Sequence, residues 1–128
     1  MLENTGRERP YNTNELMSME PIDLAEYLLL NFQIDIPPSI TTVEDLEEAS
    51  RILAKASTYY SFLSGMRLTA RMQKRTLKRQ KESQNEIEKM LAREEAFETQ
   101  AQIAKTAYDT VSRMVTIKQQ INQEMKMI

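Results

Sequence analysis

The residues of this 128-residue chain best suited to chemistry are cations: seven Lys and Arg side chains lie between positions 67 and 81, with no Asp or Glu among them. On a helix, at about 100° per residue, they form one stripe with Arg79 at its margin. The stripe comprises Arg67, Arg71, Lys74, Arg75, Lys78 and Lys81. Because like charges repel, such a stripe is typical of a surface that an anion neutralises. Phosphate backbones do this with release of counterions, so we take all seven as candidate nucleic-acid-binding residues.

An acidic protein surface could neutralise the same stripe. The carboxylates of Glu47 and Glu48, or those of the acidic run 82–98, could do so within one chain or from a neighbouring subunit. A plain solvated face is a third interpretation. Such faces usually mix charges of both signs through i,i+4 pairs, and the stripe has no such pair within itself. A protein partner therefore stays open beside a nucleic acid.

Three aromatic residues lie just before the basic stripe: Tyr59, Tyr60 and Phe62. Aromatic rings beside a basic groove can stack on the bases of a single strand. Tyr59 falls on an apolar seam, which predicts core packing for it. We expect Tyr60 and Phe62 to point elsewhere, and these two are the candidates for base stacking.

The composition argues against catalysis. The chain has no His and no Cys, its four Asp are scattered, and most Glu lie in runs typical of solvated helix faces. This removes the imidazole base, the thiol nucleophile and the usual soft metal ligands. We predict a protein that is not an enzyme, with no catalytic residue, metal or cofactor.

No segment predicts a membrane protein or an exported one. No apolar run approaches the roughly 20 residues that span a bilayer. The first ten residues lack the apolar stretch of a signal peptide. We therefore expect a cytoplasmic protein with no membrane partner.

The elements that position the stripe are predicted to be helices, with a boundary near residue 41. Residues 1–14 show no apolar period and are predicted to be a flexible arm. Residues 15–40 should contain a short apolar helix, begun by Pro21, and a connector around Pro37-Pro38. Thr41-Thr42-Val43-Glu44 has the spacing of a capping box, which predicts the start of a long-helix domain over 41–128.

Two apolar seams support an all-α fold, a long helical hairpin or coiled-coil-like bundle. The first seam comprises Ile52, Ala56, Tyr59, Leu63, Met66, Ala70 and Leu77, and the second Ala104, Ala107, Val111, Met114, Ile121, Met125 and Ile128. The turn between the helices is predicted near Ser83–Glu86 or near Arg93–Glu95. One uninterrupted helix from 42 to about 97 stays open. A monomeric hairpin of this size can bury only a modest core and would leave part of both apolar seams uncovered. The seams therefore also predict a homo-oligomer.

Five stretches together resemble phage recombination-mediator proteins of the UvsY kind. The resemblance covers about 45–127 and is a pattern of charges and aromatic residues. It is carried by Leu46–Ala49, Tyr59–Leu63, Arg71–Arg79, Leu91–Phe97 and Tyr108–Ile121. It implies a small, helical, oligomeric protein that binds single-stranded DNA and helps load a recombinase in place of single-strand binding protein. The DNA contacts it implies are chiefly Arg71, Lys74, Arg75 and Lys78.

The sequence thus leads to two functional hypotheses. The first is a non-enzymatic, sequence-independent, single-stranded nucleic-acid-binding accessory protein that self-associates, with a recombinase or single-strand binding protein as a further partner. The second is a helical protein–protein interaction module, such as an adaptor, scaffold or inhibitor, whose basic stripe meets an acidic protein. Affinity for a labelled oligonucleotide distinguishes them.

Overall fold

A computed structural model describes residues 12–127, and these form four α-helices with no strand among them. They are α1 (Thr13–Ser18), α2 (Pro21–Asn31), α3 (Val43–Arg79) and α4 (Gln84–Met127). Helices α3 and α4 pack against each other as a hairpin, and α2 packs on α4. This confirms the predicted all-α hairpin with a short N-terminal helix.

Helix α3 begins at a capping box that lies one residue later than predicted. The hydroxyl of Thr42 accepts a hydrogen bond from the backbone N–H of Asp45 at 3.0 Å, and the Asp45 carboxylate accepts one from the N–H of Thr42 at 3.1 Å. The same carboxylate also accepts from the backbone and hydroxyl of Thr41. These hydrogen bonds, that of the Thr41 backbone first, hold the pKa of Asp45 below its ordinary value.

The hairpin turns at the first of the two predicted places. The N–H of Glu82 donates to the carbonyl of Leu77 and that of Lys81 to the carbonyl of Lys78, which is the Schellman pattern of a helix C-terminus. Lys81 takes the left-handed conformation, with φ of 57°. Helix α4 then starts under a cap in which the Ser83 hydroxyl accepts from the N–H of Glu86 at 3.3 Å. A single uninterrupted helix is therefore not formed.

The main core lies where α1 and α2 fold back over the hairpin. Leu24 and Leu28 of α2, and Phe32 directly after it, are almost fully buried. They pack with residues of α3 and α4, including Leu63, Met66, Ala70, Met90, Phe97 and Ala101. The buried face of α2 thus meets two other helices, whereas its apolar residues Ile22, Leu29 and Leu30 are exposed on its other sides.

Helix α1 was not predicted. Residues 1–11 of the expected arm lie outside the described residues, but Asn12 already caps a helix, its side chain accepting from the N–H groups of Asn14 and Glu15. Leu16 and Met17 of this helix are buried in the main core. Six residues are too few to show an apolar period, so only the Asn12-x-x-Glu15 spacing signalled the helix.

The first seam is largely buried along α3, whereas the second becomes exposed toward the open end of the hairpin. Its last predicted member, Ile128, lies outside the described residues. A second, smaller core joins Ile40, Ala49, Ile52 and Val111. At 1.5 Å per residue α3 is about 55 Å long and α4 about 66 Å, so α4 extends beyond the start of α3. Ile121 and Met125, near the end of α4, are consequently exposed.

Candidate nucleic-acid interface

The structure divides the seven predicted cations into a paired group and an exposed group. Arg71 and Lys74 form ion pairs with Glu94 of α4. Arg75, Lys78, Arg79 and Lys81 are exposed near the hairpin turn, and Arg67 is half-buried further back on α3. The predicted stripe lies along α3 and the turn after it, but two of its cations already share one carboxylate inside the fold.

The paired group is an ion triad that joins α3 to α4. The Nζ atom of Lys74 lies 2.7 Å from Oε1 of Glu94, and Nε of Arg71 lies 2.9 Å from Oε2. The Glu94 side chain is 7% exposed, that of Lys74 17% and that of Arg71 36%. Each carboxylate oxygen thus receives one charge-assisted hydrogen bond, and the triad keeps a net charge of +1.

The pKa of Glu94 reflects two opposed effects. Burial raises the pKa of this carboxyl, because removal from water disfavours the charged form. Hydrogen bonds from Lys74 and Arg71, together with their positive charges, lower it and outweigh the burial. The net effect is a pKa below the ordinary glutamate value, so Glu94 is charged at neutral pH.

The exposed group, which we call the tip cluster, consists of Arg75, Lys78, Arg79 and Lys81. Among the described residues none of these four side chains forms an ion pair. Lys78 and Arg79 stand in the last turn of α3, where cations interact favourably with the helix dipole. Lys81 lies in the turn directly after α3, where its backbone is left-handed. The four cations of the tip cluster therefore lie within seven residues at one end of the hairpin.

The aromatic candidates are placed differently from each other. Tyr60 is 38% exposed and lines a small hollow between α3 and α4 together with Lys105 and Tyr108. Phe62 is instead packed in the main core, its ring stacked on that of Phe32 at 5.8 Å between centroids. The expectation that Phe62 points away from the core is wrong, because α2 covers that side of α3. Tyr59 packs into the core as predicted, edge-on to Phe32 at 4.8 Å.

Tyr60 shares its side of α3 with much of the stripe but lies far from the tip cluster. Residues 60, 67, 71, 74 and 78 follow steps of seven, four, three and four, which align them along one face of a helix. Fifteen residues separate Tyr60 from Arg75, or about 22 Å along the helix axis. A bound strand would have to pass the Glu94 triad to reach both.

Sequence reasoning missed the residues that fasten the N-terminal helices to α4. Arg93 is buried, and its Nε atom donates to the carbonyl oxygen of Met19 at 2.8 Å. Lys89 pairs with Glu20 at 3.4 Å. These partners are about 70 residues apart in sequence, so nothing local could have identified them. Lys89 and Arg93, the two cations of the acidic run 82–98, therefore both contact the segment between α1 and α2.

Neither a metal site nor a membrane span stands out in the region that the structure covers. No three His, Cys, Asp or Glu side chains between residues 12 and 127 are grouped so as to hold a metal ion. No helix there combines the length and the apolar character needed to cross a bilayer.

Comparisons with known proteins add no relative. No protein-family model matches the chain, and neither the curated proteins nor the solved structures provide a match.

Proposed function

We propose that this protein is a non-enzymatic accessory protein that binds single-stranded nucleic acid, without sequence preference, through the tip cluster. The observation that carries the proposal is the exposure of Arg75, Lys78, Arg79 and Lys81 without a carboxylate partner among the described residues. Four unpaired cations at one end of a long helical hairpin form a site that phosphates would neutralise.

The chemistry of the tip cluster predicts how binding depends on salt and sequence. Lys and Arg contacts to phosphates carry no base code, so affinity should be similar for strands of different sequence. Four phosphate contacts predict a slope of log affinity against log salt of about −3 on single strands. Self-association would bring several such clusters onto one strand and raise the avidity.

The biological setting is part of the same proposal. The resemblance to UvsY-like mediators supports a phage protein of DNA recombination, working in the cytoplasm with a recombinase or single-strand binding protein. The tip cluster includes Arg75 and Lys78, two of the four contacts that the resemblance implies. The other two, Arg71 and Lys74, belong to the Glu94 triad, where an incoming phosphate would compete with a carboxylate.

The decisive experiment is fluorescence anisotropy with a labelled single-stranded oligonucleotide and the double variant Arg75→Glu/Arg79→Glu. We expect binding by the parent protein that weakens from about 50 to about 300 mM salt, and no binding by the variant. Arg51→Glu/Lys55→Glu is the matched control, because these two cations are also four residues apart on α3, are exposed and lie away from the tip; the ion pairs of Arg51 with Glu47 and Glu48 are on the surface and contribute little. Equal affinity of the two double variants would contradict the proposal.

Arg71 is unsuited to that experiment. A glutamate at position 71 would face the carboxylate of Glu94 in place of a cation 2.9 Å away. The hairpin would then be destabilised, and lost binding would have a structural cause. Arg75 and Arg79 carry no such risk, since both side chains are exposed.

The Glu94 triad favours a second candidate, an interaction module for an acidic protein. It demonstrates within this fold that a carboxylate from another helix can engage two cations of the stripe. An acidic helix of a partner could meet the tip cluster in the same manner. This candidate predicts no affinity for oligonucleotides at either salt concentration, and retention of an acidic protein that the Arg75→Glu/Arg79→Glu variant does not retain.

A further inference from the structure

One face of α4 carries small residues in its first half and large apolar residues in its second half. We call it the α4 face; its members follow steps of three or four residues and therefore share one side of the helix. They are Ala92, Ala96, Thr99, Ile103, Thr106, Thr110, Met114, Ile117, Ile121 and Met125. The face continues along most of α4, but the rest of the chain covers it only in part.

The first half of the α4 face is the floor of a groove. Helix α2 forms one wall of it, with Ile22, Ala25 and Leu29, and Ile22 and Leu29 are exposed. The connector after α2 continues the wall with Ile34 and Ile36. Ala92, Ala96 and Thr99 do not fill the space between these walls, so the groove is open and mainly apolar.

The second half of the α4 face is a ridge. Ile117 is 49% exposed and Ile121 45%, although both are apolar and stand on a regular helix. Both lie near the end of α4, on a side that no other described helix covers fully. A ridge of large side chains and a groove of matching apolar character thus lie on the same face of one helix.

The geometry points to a second copy of this chain as the occupant of the groove. If two α4 helices pack face to face and antiparallel, the ridge of each copy lies in the groove of the other. The pairs Ile103 with Ile117 and Thr99 with Ile121 then share one midpoint, residue 110. Such an arrangement is a two-fold interface in which each contact occurs twice.

A buried amide at the groove supports an occupant with polar groups beside its apolar ridge. Gln100 is 5% exposed and lines the groove, yet no hydrogen bond of its side chain is found within the described part of the chain. Buried polar groups are normally paired, because leaving one unpaired is costly. The ridge segment carries amide side chains, including Gln119, Gln120 and Asn122, that could supply the partner.

Charges favour the same occupant. Glu95 and Glu98 line the groove, are exposed and form no ion pair among the described residues. The ridge segment 113–126 carries Arg113, Lys118 and Lys126 against a single Glu124, a net charge of +2. A basic ridge and an acidic groove attract each other. A parallel pairing of the two α4 helices would instead place groove against groove and ridge against ridge, with like charges facing each other.

This inference deepens the self-association on which the proposed function draws, but it does not depend on nucleic-acid binding. The tip cluster and the α4 face occupy different parts of the hairpin. The two can therefore fail separately: a chain that dimerises without binding DNA contradicts only the proposed function, and a monomer that binds DNA contradicts only the interface.

Single cysteines give the sharpest experiment, because the chain has none of its own. At the two-fold axis Thr110→Cys should meet its own copy and form a disulfide-linked dimer under mild oxidation. Thr99→Cys or Ile121→Cys alone should not, but a mixture of the two should form the mixed dimer. Thr69→Cys, an exposed threonine on α3, is the control. Equal crosslinking of the Thr110 and Thr69 variants would overturn the proposal.

Sedimentation of the full chain tests the ridge directly. Ile117→Asp/Ile121→Asp should weaken self-association by about 100-fold or more, because each copy loses two isoleucines that the dimer interface would bury. The control Leu68→Asp/Met72→Asp removes two comparably exposed apolar side chains from α3, four residues apart as Ile117 and Ile121 are. Helicity measured by circular dichroism should be equal in both variants. A parent protein that sediments as a monomer, or a dimer that the ridge variant leaves intact, would overturn the inference.

Discussion

The carboxylate of Glu94 and the ammonium of Lys74 lie 2.7 Å apart, joining the two long helices across their interface. Arg71 engages the other oxygen of the same carboxylate at 2.9 Å. The stripe that marks this protein as a candidate for polyanion binding is therefore also part of what holds the hairpin together.

Replacing Glu94 by Gln should destabilise the protein by about 2 kcal/mol, because the change leaves two partly buried cations without their counter-charge. Chemical denaturation monitored by circular dichroism at neutral pH measures this free energy of unfolding. Glu26→Gln serves as the control, since Glu26 is exposed, lies outside the groove and forms no ion pair with a described residue. A Glu94→Gln protein as stable as the Glu26→Gln protein would contradict the role assigned to the triad.

The stabilisation from Glu94 should depend on pH with a defined sign. Its pKa is lowered in the folded state, so its contribution is complete above the unfolded glutamate value of about 4.3 and is lost as pH falls through the lower folded value. The difference in unfolding free energy between the parent protein and Glu94→Gln should therefore shrink as the pH falls below about 4.3. A difference that grows on acidification would reverse the assigned direction of the pKa shift.

The Glu94→Gln variant should also bind single-stranded oligonucleotides more tightly than the parent protein. The change releases Arg71 and Lys74 for phosphates, and two further contacts would steepen the salt slope by up to about 1.4. Anisotropy titrations at several salt concentrations measure both quantities. Binding by Glu94→Gln that is weaker, while its helicity is unchanged, would argue that nucleic acid does not approach this side of α3.

Replacing Lys81 by Gly should stabilise the protein by about 0.5–1 kcal/mol. Lys81 holds the left-handed conformation at the end of α3, with φ of 57°, and this conformation is unfavourable for a side chain with a Cβ atom. The same change at Lys78, inside the last turn of α3, should instead destabilise by about 1 kcal/mol. Thermal unfolding of the two variants measures both effects, and destabilisation by the change at position 81 would contradict the prediction.

The features that the sequence predicted well are those with local causes. The turn after Arg79 has basic residues before it and a Ser-x-x-Glu cap after it, and both signals lie within seven residues. The threonines predict the start of α3 to within one residue. The expected capping box joins Thr41 and Glu44, whereas the observed one joins Thr42 and Asp45. The burial of Ile52 and Leu63 followed from helical spacing alone.

The features that the sequence did not predict arise from contacts between distant segments. Phe62 is partly buried because Phe32, at the C-terminus of α2, packs over it, and no pattern near position 62 reveals which segment lies there. The division of the stripe has the same origin. The acidic run 82–98 was one of the expected sources of neutralising charge, but helix geometry on α3 alone could not indicate that Glu94 takes Arg71 and Lys74 and leaves the tip cluster unpaired.

The consecutive residues Arg93 and Glu94 imply an order of folding. Glu94 closes a chain segment of 20 residues to Lys74, whereas the bond from Arg93 to Met19 closes one of 74. Contacts between residues close in sequence form faster, because less chain entropy is lost on closure. We expect the hairpin to form outward from its turn before α1 and α2 dock on it. Amide exchange should then show the N-terminal helices opening first, while the hairpin stays closed.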